Sequence, residues 1–173
     1  MKKLTSIALA SLMVLSMAAC SQEKSVESTP ETTAVTEAET TQPQSTEITA
    51  PAENVEMQYM SPADALTHIG EAGYTFLDVR KAEDYLTGHI PGAVGADMDA
   101  AKEGDFAAGV ATMQETTNDL SDNLILICYS GKRYAQATTN VLSAMGYDMS
   151  KVYTLEGGFK AWSEAYPEQI EAN

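Results

Sequence analysis

The chain has 173 residues, with 25 acidic side chains against 10 basic ones and a formal net charge of −15. That length holds one domain of ordinary size plus further segments. The acidic balance argues against nucleic acid as a partner, which needs a basic face, and would repel an anionic membrane surface.

Residues 1–20 read MKKLTSIALASLMVLSMAAC. Two lysines precede an apolar run shorter than the roughly 20 residues a spanning helix needs. The ending Met17-Ala18-Ala19-Cys20 resembles a bacterial lipoprotein signal. The resemblance implies cleavage before Cys20 and lipidation of that cysteine as the new N-terminus. Two or more acyl chains anchor stably to a membrane. The expectation is an exported protein, lipid-anchored to the cell membrane or outer membrane, with its domain outside the cytoplasm. The alternative is a plain secretory signal cleaved near Ala19, with Cys20 incidental.

Residues 21–56 are dominated by Thr, Glu, Ser, Pro and Gln, without aromatic residues or apolar periodicity. Such a segment cannot bury enough surface to offset its ordering entropy. It reads as a disordered, self-repelling tether spanning roughly 30 Å root-mean-square as a coil.

A folded domain is expected over 57–173. Ser61-Pro62-Ala63-Asp64 opens a helix, with Ser at the N-cap, Pro at N1 and an acid at N3, and Gly70 closes it. Residues 74–79 form a short buried strand. Residues 82–86 form a helical turn stopped by Gly88, and 93–96 a further strand. Residues 97–118 read as loop plus a moderately amphipathic helix. Leu124-Ile125-Leu126-Ile127 is the clearest strand, the continuous apolar run of a sheet covered on both faces. Tyr134, Ala137, Val141 and Met145 mark one face of a helix over 133–145, with Gly146 at C′. Residues 152–155 form the last strand and Gly157-Gly158 a turn. Phe159, Trp162 and Tyr166 share a core-facing side of a final helix. Alternating strands and helices predict an α/β domain with a mainly parallel sheet.

If Cys20 carries lipid, Cys128 is the only thiol left and has no intramolecular partner. It is then either a small buried hydrophobe or a residue kept for its reactivity. Its position favours chemistry. It ends the strongest strand, where sites form in parallel sheets, and a helix follows whose first N–H groups are unpaired. Gly131 permits a tight turn, and Lys132 and Arg133 add cations. Such a cradle favours a sulfur anion, a route to a nucleophile without a histidine base. Two histidines and one free cysteine do not make a metal site. His68 is expected to pack or lie exposed.

Three segments together resemble the rhodanese (sulfurtransferase) family. LDVRKAEDYLTGHIPGAV, residues 77–94, is similar to the family's Asp-Val-Arg and Gly-His-Ile-Pro-Gly-Ala elements. CYSGKR, residues 128–133, resembles its loop of cysteine, four residues and arginine. VYTLEGGFKAW, residues 152–162, resembles its closing Leu-x-Gly-Gly-x-x-x-Trp signature. The resemblance implies a rhodanese-like three-layer α/β fold in which Cys128 accepts a sulfane sulfur as a persulfide. Tyr129, Ser130, Gly131, Lys132 and Arg133 would bind the substrate. The donor would be a small anion such as thiosulfate, and the acceptor a thiophile such as a thiol or cyanide. No cofactor is implied, and a monomer is expected. Four intervening residues suit a sulfur-sized anion, whereas related phosphatases and arsenate reductases carry one more. Asp78, Arg80, Glu83 and His89 would brace the site, with Arg80 contacting the donor anion as the second reading. The alternative function is a non-enzymatic module that binds a partner or carries sulfur without turnover.

Overall fold

A computed structural model of the chain describes residues 48–117 and 122–172. Cys20, the signal segment and tether residues 21–47 lie outside the described residues.

Short strand β1, Gln58–Met60, leads to α1, Pro62–Leu66. Ser61 caps this helix as its sequence predicts, accepting from the Asp64 N–H at 3.1 Å and donating to its carboxylate at 2.6 Å. Strand β2, Tyr74–Asp78, is followed by α2, Ala82–Thr87, and by β3, Val94–Gly95. The stretch 97–118 holds two helices, α3, Asp99–Lys102, and α4, Phe106–Thr117. Strand β4, Asn123–Ile127, leads to α5, Arg133–Ala144, and β5, Val152–Leu155, to α6, Gly158–Ala165. The five strands lie in the order β1-β5-β4-β2-β3, and every pairing is parallel.

The apolar run of β4 explains the layering. Successive side chains of a strand point to opposite faces. Leu124 and Leu126 pack with Val110, Met113, Val141 and Leu142 from α4 and α5. Ile125 and Ile127 pack on the other face with Ala65 of α1 and Trp162 of α6. These four residues of β4 are fully buried, as a sheet with helices on both sides requires. The buried side of α5 is broader than its predicted face. Ala135, Thr138 and Leu142 are buried with Tyr134 and Val141, while Ala137 and Met145 are half-buried. The aromatic stripe of α6 is core. Trp162 is fully buried, and its indole N–H donates to the Gln169 carbonyl at 2.9 Å.

Residues 48–56, read from composition as the tether's end, lie against the domain. Ile48 packs on the core, and the Val55 N–H donates to Asn140 Oδ1 at 3.0 Å.

Trp162→Ala is expected to destabilise the domain by about 3–5 kcal/mol, the usual cost of truncating a fully buried aromatic residue. Urea unfolding followed by circular dichroism measures it.

Candidate active site

Cys128 follows the last residue of β4, and its side chain is 1% exposed. It continues the alternation of β4 onto the α4–α5 face. The backbone then turns through residues 129–132 into α5. Gly131 takes φ +69°, and a Cβ there would stand 2.8 Å from the Leu155 carbonyl oxygen. Gly158 takes φ +62°, and a Cβ there would meet the Cys128 carbonyl oxygen at 2.3 Å and the Ser130 nitrogen at 2.6 Å. Both positions need glycine for conformation and for space. The Gly-Gly turn is thus the seat on which the cysteine loop rests. Two hydrogen bonds hold it there, from Phe159 N–H to the Cys128 carbonyl at 2.7 Å and from Lys160 N–H to the Tyr129 carbonyl at 3.2 Å.

The Lys132 N–H donates to Cys128 Sγ at 3.3 Å. The N–H groups of Ser130 and Gly131 donate to no acceptor among the described residues. Buried N–H groups are normally paired, and Gly131 is buried, so the loop holds donor capacity for an incoming anion. A cavity of about 220 Å³ opens over the sulfur. Its walls are Lys102, Cys128, Tyr129, Ser130, Lys132, Arg133 and Tyr134. The structure therefore brings the predicted loop residues together, with Lys132 and Arg133 exposed at the mouth.

Two phenols line this cavity with rings 5.1 Å apart, edge to face. Tyr129 donates its hydroxyl to the Asp84 carboxylate. Burial, then this bond to Asp84, pushes its ionisation up to about 12. Tyr134 donates to Asp99 Oδ1 at 2.6 Å and is raised further, again by burial first. The same bond, helped by Lys102 and Lys81, holds the Asp99 carboxyl below its usual value. Both phenols thus stay neutral at physiological pH, with their O–H groups already committed.

The bracing residues form a second cluster. Arg80, 4% exposed, grips the fully buried Asp78 through Nε at 2.9 Å and Nη2 at 2.6 Å. Nη2 also reaches the Gly88 carbonyl at 2.6 Å. Its guanidinium lies 3.7 Å from the Phe159 ring centroid, behind the residue whose N–H holds the Cys128 carbonyl. Arg80 is absent from the wall of the Cys128 cavity. His89 is buried, with Nδ1 2.9 Å from the Tyr85 carbonyl oxygen and Nε2 3.4 Å from Glu171 Oε1. His68 stacks on Tyr74 at 3.8 Å, far in sequence from the loop. Glu83 lies exposed on α2, and its neighbour Asp84 engages the loop through Tyr129. One residue along a helix is a turn of about 100°, and adjacency in sequence does not tell which acid faces inward. Lys102 was not anticipated. It comes from α3, in the stretch whose pattern gave only loop and helix.

The site is thus a parallel α/β sheet with a cysteine at the carboxyl end of its central strand, cupped by a glycine-backed amide loop. The family model described as Rhodanese-like domain matches residues 61–165, and the chain belongs to the rhodanese-like sulfurtransferase family. A thiosulfate sulfurtransferase GlpE of Pseudomonas savastanoi pv. phaseolicola is 30% identical over 108 residues, covering 62% of this chain and 90% of that protein. The GlpE of Pseudoalteromonas translucida is 29% identical over 114 residues, covering 66% of this chain and 96% of the relative. Among solved structures, the BH2092 protein of Bacillus halodurans superposes with a TM-score of 0.52 at 25% identity, covering 66% of this chain and 77% of its own.

Gly158→Ala is expected to lower stability by about 1–3 kcal/mol, from backbone strain and the displaced loop. It should also change the alkylation rate of Cys128 by iodoacetamide several-fold. An unchanged rate would mean that other contacts seat the loop. Tyr129 gives a pH signature. Its folded-state ionisation is raised, so its contribution to stability is complete below about pH 10 and is lost as pH climbs toward 12. Urea midpoints of the wild type and Tyr129→Phe should therefore converge over that window.

Proposed function

We propose that the protein is a membrane-anchored sulfurtransferase that moves a sulfane sulfur from a donor such as thiosulfate to a thiophilic acceptor through a persulfide on Cys128. The observation that carries this reading is the Cys128 sulfur at the focus of a four-residue loop. It already accepts the Lys132 N–H at 3.3 Å, under a cavity of about 220 Å³. In the first half-reaction the Cys128 thiolate attacks the outer sulfur of the donor. The donor's S–S bond breaks, and with thiosulfate the leaving group is sulfite. The new persulfide anion sits where the unpaired loop N–H groups can stabilise it. In the second half-reaction the acceptor attacks the outer sulfur and Cys128 leaves as thiolate. The two half-reactions share one covalent intermediate, so ping-pong kinetics are expected. Lys132 and Arg133 supply local positive charge against a body of formal net charge −15. Relatives named thiosulfate sulfurtransferase support this choice of donor.

Anchoring would come from lipid on Cys20, with residues 21–47 as the tether and a monomeric domain outside the cytoplasm. Among the described residues no helix is long and apolar enough to cross a membrane.

An assay with thiosulfate and cyanide, using Cys128→Ser as control, tests the chemistry. The wild type is expected to release thiocyanate and to gain the mass of one sulfur on Cys128. Equal thiocyanate from both proteins with no added sulfur would leave only a non-enzymatic binding role. Labelling of membrane fractions with a palmitate analogue, lost in Cys20→Ala, tests the anchor.

A further inference from the structure

Helix α3 is pressed against α4. A Cβ at Gly109 would stand 2.7 Å from the Ala101 Cβ and 3.2 Å from Met98 Cε, so a side chain there would force the two helices apart. This close packing confines Lys102. Its side chain is 11% exposed, and its ammonium lies 5.1 Å from the Tyr134 ring centroid. Lys102 is thereby held in the wall of the sulfur cavity, which Arg133 also lines. Glu103 follows as the C-cap of α3.

Glu103 differs from the other acids around the cavity. Asp84 and Asp99 each accept a phenol hydroxyl, so their charges fix the aromatic walls. The Glu103 side chain, 63% exposed, bonds only to Lys102 among the described residues. A carboxylate gains nothing from the end of a helix where carbonyls point outward, so α3 itself does not account for it. The Lys102 ammonium first, and then the charge of Arg133, hold the Glu103 carboxyl below its usual value. Glu103 is therefore ionised at any pH at which a cysteine forms thiolate. Both cations in its field are walls of the sulfur cavity. An anion entering that cavity must share them with a carboxylate already in place.

We infer that Glu103 is a specificity-determining residue, an internal counter-anion that competes for Lys102 and Arg133 and biases the sulfur cavity toward donors of low negative charge. The inference rests on the sulfur-transfer reading of Cys128. A dianion such as thiosulfate meets cations that are partly neutralised, and an uncharged or singly charged donor loses less by that neutralisation. Glu103 is exposed, so its effect has the modest size of a surface pair and weakens as salt screens it.

The test uses the full chain at low ionic strength. Iodoacetate and iodoacetamide both lose iodide to the Cys128 thiolate and differ by one negative charge, so the ratio of their alkylation rates reads the anion preference of the cavity without any sulfur transfer. Glu103→Gln is expected to raise that ratio about twofold, and Glu103→Lys about fivefold. Glu103→Asp, which keeps the charge, should stay near the wild type. The KM for loading Cys128 from thiosulfate, read by mass spectrometry, should fall about threefold or more in Glu103→Gln with little change in kcat. Glu164→Gln is the control for net charge, because α6 packs on the other face of the sheet. It should leave both readings unchanged. An unchanged ratio, an unchanged KM, a Glu103→Asp protein that behaves like Glu103→Gln, or an equal shift in Glu164→Gln overturns the role of Glu103. Failure of Cys128 to load from thiosulfate in every variant, with the alkylation ratio still shifted, overturns the sulfur-transfer reading instead.

Discussion

The structure depends on one close approach, the seating of the cysteine loop on the turn at Gly157 and Gly158. A single methyl group at Gly158 would stand 2.3 Å from the Cys128 carbonyl. An L-side chain would be strained there, and both Gly131 and Gly158 take a positive φ that L-residues rarely adopt. Two segments distant in sequence are thereby locked face to face, joined by the Phe159 N–H to the Cys128 carbonyl. Arg80 extends the lock. It clamps Asp78 at the end of β2 and lies on the ring of Phe159. The three sequence segments that resemble the family are therefore three sides of one mechanical joint.

Electrostatics follow from the same joint. An acidic protein gains a local site for an anion by using backbone N–H groups, which carry no net charge and need no counterion. Acids near the site are kept busy. Asp84 and Asp99 each accept a phenol hydroxyl, and Asp99 also faces Lys81 at 3.6 Å. Their charge is spent on positioning the aromatic walls rather than opposing a ligand.

Legibility in the sequence tracked the strength of local patterns. The run 124–127 is as apolar as a strand can be, and β4 extends it by one residue. Residues 152–155 form β5 with the expected bounds. The cap at Ser61 was readable because its chemistry is local. Where the decisive contact is distant, the pattern is silent. Glu83 and Asp84 differ only in which way a helix turns them. Lys102 reaches the sulfur cavity because α3 packs beside α5, which nothing in an alanine-rich stretch announces. Residues 48–56 have the composition of a tether, yet Val55 is held by its backbone, a contact that leaves no trace in side-chain patterning. The site loop could be read, but the wall facing it could not.

The strand order carries a consequence for the life of the chain before it is folded. Among the described residues strand β1 comes first and stands at the sheet edge, yet it pairs with β5, the last strand of the sheet. Met60 pairs with Leu155, so the sheet cannot close until nearly the whole domain exists. Such long-range parallel pairing is slow to form.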